Sequence, residues 1–296
     1  MRLLPGLAAS CFLVASALAD LPPCHRAVMT WVPPYGVAKA RARLAESFAG
    51  VPMTDGLTHL ALQFWAPAKD GGVERVKKYG ELSDATVSEF RKLANDRGVR
   101  AMLCVYNGVE KWDWALARAA FAEHREEFAA ALVGEAKRLD LDGIDIDLEG
   151  NGELDGDKPV FVAFIATLSR RARAAGLELT VDSFAYVWNA PNQSWWSDLL
   201  PHVDRLNSMG YEETGAGAKG WRAFAAQKAA AGEHAAKLLI GVPTEKAEWQ
   251  GGKALTHLRW LREHETGAAL WDAQLDSPAW RSREVWSVLR EIRAPR

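Results

Sequence analysis

An excess of positive charge is lacking in this chain, and cysteine and long apolar stretches are scarce. Its 36 Lys and Arg stand against 38 Asp and Glu, a net charge of −2. Such a balance provides no broad positive field and excludes a grip on nucleic acid or an anionic membrane surface. The single long uncharged run is Leu3 to Ala19, preceded by Arg2 and closed by Ala17-Leu18-Ala19 before Asp20. A short basic start, an apolar centre and small residues at −3 and −1 read as a secretory signal over residues 1–19. Pro5, Gly6 and the short length make that run a poor membrane span. The expected mature chain, 20–296, is therefore secreted or periplasmic, without a membrane partner. Of three cysteines, Cys11 leaves with the signal. Cys24 and Cys104 can pair in an oxidising compartment, or Cys104, inside the apolar run Ala101–Val105, is a buried thiol. The seven histidines show no metal-ligand spacing such as HExxH, so no metal or other cofactor is called for.

Tryptophan, by contrast, is abundant at 13 residues. Its flat apolar face with one N–H donor suits both core packing and stacking on sugar rings. Short strand-like runs alternate with helical stripes along the rest of the chain. The expected strands are 27–32, 57–64, 99–106, 141–149, 177–184, 203–211, 237–242 and 267–271. Between them fall the stripes Phe121/Phe128/Leu132/Leu139 and Val160/Phe161/Phe164/Ile165/Leu168, and Val285/Trp286/Leu289/Ile292 closes the chain. Eight strands alternating with helices, with no linker or composition break, predict a single-domain (β/α)8 TIM barrel. The alternative is a doubly wound open sheet. It would usually carry a glycine-rich phosphate turn after its first strand, and Trp31-Val32-Pro33-Pro34-Tyr35-Gly36 is not one.

The segment Leu141-Asp142-Gly143-Ile144-Asp145-Ile146-Asp147-Leu148-Glu149-Gly150 carries the chemistry. As a strand it puts Asp145, Asp147 and Glu149 on one face and Ile144, Ile146 and Leu148 on the other. In a barrel the aliphatic face packs on the helices and the acids point inward, roughly 7 Å apart. Three anions so close at low dielectric force at least one pKa up, which is what a general acid needs near neutral pH. Glu149 is nearest the C-terminal mouth, where barrel active sites form. A calcium loop starting at Asp145 or Asp147 would need a bidentate Glu at its twelfth position, where Gly156 and Lys158 stand. A merely solvated acidic edge leaves the three interleaved aliphatic residues unexplained.

Asp142 to Glu149 resembles the DxxDxDxE signature of glycoside hydrolase family 18, the chitinases and endo-β-N-acetylglucosaminidases. Ser208-Met209-Gly210-Tyr211-Glu212 resembles that family's Met-x-Tyr-Asp on strand six, with Glu in place of Asp. Leu270-Trp271-Asp272 resembles the tryptophan-bearing strand beneath its −1 sugar. Where the family often has Ser-x-Gly-Gly on strand three, this chain has Cys104-Val105-Tyr106-Asn107-Gly108. Between Val242 and Gly267 there is too little chain for the α+β insertion of many chitinases, which implies an open groove.

The resemblance implies a substrate-assisted, retaining hydrolysis of β-1,4 bonds after N-acetylglucosamine, in chitin or chito-oligosaccharides or in the chitobiose core of N-glycans. A non-catalytic lectin on the same fold is the third possibility. By the same resemblance Glu149 is the acid and base, and Asp147 orients the acetamido group. Asp145 shares a proton with Asp147, Tyr211 bonds the acetamido carbonyl, and Trp271 stacks beneath the sugar, with Met209 and Glu212 beside it. Trp31, Tyr35, Trp65 and Tyr106, at or beyond strand ends, are expected to line the groove. Trp195-Trp196 is a candidate sugar platform or partner patch, and Trp112 and Trp114 are expected to pack.

Overall fold

The computed structural model describes residues 26–48, 50–80, 82–152, 154–211, 218–244 and 252–293. Eight strands, β1 (Val28–Val32), β2 (His59–Pro67), β3 (Arg100–Tyr106), β4 (Gly143–Asp147), β5 (Glu178–Phe184), β6 (Arg205–Met209), β7 (Leu238–Pro243) and β8 (Gly267–Trp271), run parallel, each beside its predecessor. β1 pairs with both β2 and β8, so the sheet closes on itself. Helices α1 (Val37–Leu44), α2 (Asp84–Asn95), α3 (Arg125–Arg138), α4 (Lys158–Ala174), α5 (Trp196–Leu199), α6 (Ala218–Ala230), α7 (Gly252–Glu263) and α8 (Arg283–Arg293) follow the strands in turn. This is the (β/α)8 barrel, with only α7 described between β7 and β8.

Two apolar layers hold it. The larger lies between strands and helices, where Ile144, Ile146 and Leu148 join Phe128, Leu132, Phe161, Phe164, Ile165, Leu168, Trp286 and Leu289. The expected helical stripes are thus the buried faces. The smaller layer fills the barrel, with Met29, Trp31, Ala61, Met102, Cys104, Leu239 and Ala269. Cys104 is a buried free thiol there. Cys24, the other half of the pairing considered above, lies outside the described residues, as does the signal segment.

The lower end of the barrel is closed by charge. His59, Arg100, Glu178 and Arg205 are each the first residue of their strand. His59 Nε2 lies 3.2 Å from Glu178 Oε1, and Arg100 Nη1 lies 3.0 Å from Oε2. Burial pushes this carboxyl up, but His59, Arg205 and Arg100 outweigh it and hold Glu178 at about 2. A depressed carboxyl stabilises the fold above its unfolded value, and that stability is lost as pH falls through the folded one. Glu178→Gln is therefore expected to lower the neutral-pH melting temperature, with the difference from wild type shrinking below about pH 4. Thermal unfolding of both proteins from pH 7 to 2 checks this.

Candidate active site

At the opposite end, Asp147, Glu149, Asp182, Phe184, Tyr186, Met209, Tyr211, Pro243, Trp271 and Trp112 line a cleft of about 260 Å³. Asp145 and Asp147 point inward, as the alternation requires, and both are buried. β4 ends at Asp147, two residues earlier than the sequence suggests. Glu149 sits just beyond, half-buried, at the cleft floor. Asn107, which follows β3, fixes it there: Asn107 Nδ2 donates to the Glu149 carbonyl and Glu149 N–H donates to Asn107 Oδ1, both at 2.8 Å. Asp142, the first acid of the motif, is at the strand's base, where it accepts a bond from Ala101 N–H at 2.7 Å. That bond ties β4 to β3 and keeps Asp142 away from the cleft.

Every oxygen of Asp145 is engaged. Trp31 Nε1 donates to Oδ2 at 2.8 Å, Thr180 Oγ1 donates to Oδ1, and Asn207 Nδ2 reaches Oδ1 at 3.3 Å. Asp147 Oδ2 accepts from Gln63 Nε2 at 2.6 Å, while its buried Oδ1 has no amide, ring or hydroxyl donor among the described residues. Asp147 and Glu149 are in hydrogen-bonding contact, with Glu149 supplying the proton. Asp147 also feels the charge of Asp145, the neighbour with which it is expected to share a proton. Burial raises the Asp145 carboxyl, against the hydrogen bonds it accepts from Thr180 and Trp31.

The donors that bond these acids, Trp31, Thr180, Gln63 and Asn207, are all neutral. Burial first, then the Asp145 charge, pushes Asp147 up to about 7, against the bonds from Gln63 and Glu149. Burial, the Asp147 charge and the bond to Asp147 push Glu149 well above the carboxylate range. Both shifts favour the protonated form, and for Glu149 that is the direction a general acid needs. Burial and the surrounding carboxyls, Asp182 foremost, likewise raise Tyr211 and keep its phenol a hydrogen-bond donor.

Trp271, the last residue of β8, forms part of the cleft wall. Trp31 lies under it, ring centroids 5.9 Å apart and tilted by 51°. Its backbone is anchored by Thr244 N–H, which donates to the Trp271 carbonyl at 2.7 Å. Met209 and Tyr211 come in at the end of β6. Tyr211 can lie against β7 because Gly241 has no side chain, since a Cβ there would stand 2.8 Å from Tyr211 Cε1. Glu212 falls outside the described residues.

The other aromatic expectations divide. Trp31 is buried beneath the cleft as a donor to Asp145, and does not line the groove. Tyr106 is level with Asp147 across the β3–β4 pair, mostly buried, with its edge toward Trp112. Tyr35 is 55% exposed and packs edge-on with Tyr79, outside the cleft wall. Trp65 faces the helices: its Nε1 donates to Glu135 Oε1 at 3.1 Å, and the Arg75 guanidinium lies over its ring. A register shift between Leu62 and Trp65 breaks the alternation of β2, so Phe64 and Trp65 both point outward. Trp195 and Trp196 form no platform. Both are fully buried, donating to Asp155 Oδ1 at 3.0 Å and Ser183 Oγ at 2.8 Å. Trp114 packs on Phe121 and Phe161, but Trp112 is on the cleft wall. Gln63, Asn107, Asp182, Tyr186 and Asn207 belong to the site and were not singled out from the sequence.

A parallel barrel with linked carboxyls and an aromatic wall at its C-terminal mouth is the layout of a TIM-barrel glycoside hydrolase. A family model described as glycosyl hydrolases family 18 matches residues 33–287. The chain belongs to that family, and it is a glycoside hydrolase. No curated protein matches the chain. Among solved structures, a chitinase from Chromobacterium violaceum is 18% identical with a TM-score of 0.69, covering 92% of this chain and 100% of its own. The spore cortex-lytic enzyme SleL of Bacillus megaterium is 12% identical with a TM-score of 0.68, covering 90% and 73%. The chitinase ChiB of Flavobacterium johnsoniae is 17% identical with a TM-score of 0.66, covering 91% and 94%. At these identities the likeness is one of fold.

Proposed function

We propose that this chain is an exported, retaining glycosidase that hydrolyses β-1,4 linkages after N-acetylglucosamine in chitin or chito-oligosaccharides, using the substrate's own acetamido group as nucleophile. One observation carries the reading: Glu149, its carboxyl raised by burial and by Asp147, lines one cleft with Asp147, Tyr211 and Trp271. The chitinases among the structural neighbours support the substrate class.

In this mechanism a sugar stacks on Trp271 with its acetamido arm toward Asp147 and Tyr211. Glu149 gives its proton to the departing glycosidic oxygen. As that bond breaks, the acetamido oxygen bonds to the anomeric carbon and a cyclic oxazolinium forms. Asp147 accepts a hydrogen bond from the acetamido N–H, and its negative charge faces the cation, a fixed electrostatic complement to the transition state. The Tyr211 hydroxyl donates to the acetamido oxygen and aligns it. Water then attacks the anomeric carbon from the side the leaving group vacated, Glu149 takes its proton, and the configuration is retained.

The experiment is product analysis by mass spectrometry from chitohexaose and from a high-mannose glycopeptide, incubated side by side. Shorter chito-oligosaccharides from the first alone are the expected result. Cleavage of the glycopeptide alone would replace the substrate with the chitobiose core of N-glycans. Tight binding with no turnover would leave a lectin.

A further inference from the structure

Asp182 takes no part in the mechanism above, yet it lines the same cleft as Asp147, Glu149 and Tyr211. It sits on β5, directly paired with Asn207 on β6. Asn207 Nδ2 donates to Asp182 Oδ1 at 2.7 Å and extends to Asp145 Oδ1. Asn207 Oδ1 is buried without a partner among the described residues, so this amide serves only as a donor, to the two acids and at 3.5 Å to Met29 Sδ. Among the described residues the ionisable groups facing Asp182 are Cys104 on β3, Asp145 and Asp147 on β4, Glu149 just after it, and Tyr211 after β6. None of them carries positive charge. Burial comes first, and the neighbouring acids next, in holding this carboxyl well above its ordinary range.

Building on the glycosidase reading, we infer that Asp182 works as a neutral carboxylic acid whose Oδ2–H donates a hydrogen bond to an oxygen of the sugar bound beside Tyr211. The bond from Asn207 commits Oδ1 as an acceptor and leaves Oδ2 to bear the proton. An ionised Asp182 would put a further uncompensated anion in a buried row that already holds Asp145 and Asp147. The neutral acid instead adds a donor to a wall crowded with acceptors, and sugar oxygens need donors there. The site therefore stores two protons: Glu149 releases its own during the reaction, and Asp182 keeps its own for recognition.

Two substitutions and one spectrum test this. In Asp182→Asn the amide oxygen can accept the Asn207 bond while an amide N–H stands where the acid proton stood. Asp182→Ala removes both. With chito-oligosaccharides, Asp182→Asn is expected to stay within about threefold of wild-type kcat/KM, and Asp182→Ala to fall about 10- to 100-fold. An Asn variant as impaired as the Ala variant would mean that the anion is what matters, and an unimpaired Ala variant would mean no contact; either overturns the inference. The infrared difference spectrum of free wild type minus Asp182→Asn at neutral pH is expected to contain a protonated-carboxyl C=O band. Its absence overturns the inference whatever the substrate. Failure of wild type to cleave any N-acetylglucosamine chain would instead remove the function proposed above, and the band would still decide the protonation of Asp182.

Discussion

Glu149→Gln is expected to lower kcat/KM on chito-oligosaccharides by roughly 10²- to 10⁴-fold, the range for loss of a positioned general acid. The fold should survive, because residue 149 is fixed through its backbone: Asn107 bonds both its N–H and its carbonyl. A glutamine amide can still donate to Asp147, so oligosaccharide affinity should stay near wild type. Only the transferable proton is lost. An aryl glycoside whose leaving group departs without protonation should therefore lose far less activity than the oligosaccharide. Paired kinetics on the two substrates, with thermal unfolding to confirm the fold, make the check. Equal losses on both would show that residue 149 is not the acid.

The second large effect is expected at Asp147. Asp147→Asn keeps the bond from Gln63 through the amide oxygen, but removes the charge that faces the oxazolinium in the proposed mechanism. A fall in kcat of about 10²- to 10³-fold is expected. Two of the three causes that raise Glu149 come from Asp147, so the acid also ionises at lower pH in the variant. The alkaline limb of its activity should move toward acid. Stability should move the other way. In the folded protein Asp147 titrates at about 7, against about 4 in an unfolded chain. Between these values the folded state holds a proton that the unfolded state has released, so wild-type stability falls as pH rises through the window. The Asn variant lacks this loss. Its melting temperature relative to wild type should rise from pH 4 to pH 8.

The inward row of acids was legible because side-chain direction on a strand has period two, and Ile144 and Ile146 could only be paired with a helix-facing side. The position of Glu149 past the strand end depends on Asn107, 42 residues earlier, a partnership that no local pattern records. Asp182 was within reach. The expected strand 177–184 alternates Leu179 and Val181 with Thr180 and Asp182, so Asp182 had to face inward. Its closeness to the acids depends on β5 lying beside β4 in register, with Ile144 opposite Leu179 and Asp145 opposite Thr180. Gln63 carried the same signal, as a lone amide inside an apolar strand. Trp65 was misread because a bulge cannot be seen in a continuous apolar run. Trp195 and Trp196 were misread because large aromatics fill cores as readily as they stack on sugars.

In the proposed mechanism the acetamido group, and no protein carboxylate, makes the bond to the anomeric carbon while Glu149 supplies the proton. Rates on aryl N-acetylglucosaminides whose acetyl methyl carries zero to three fluorines measure this directly. A steep fall in kcat/KM with each fluorine, as the acetamido oxygen becomes a poorer nucleophile, is the predicted result. Rates indifferent to fluorination would contradict it.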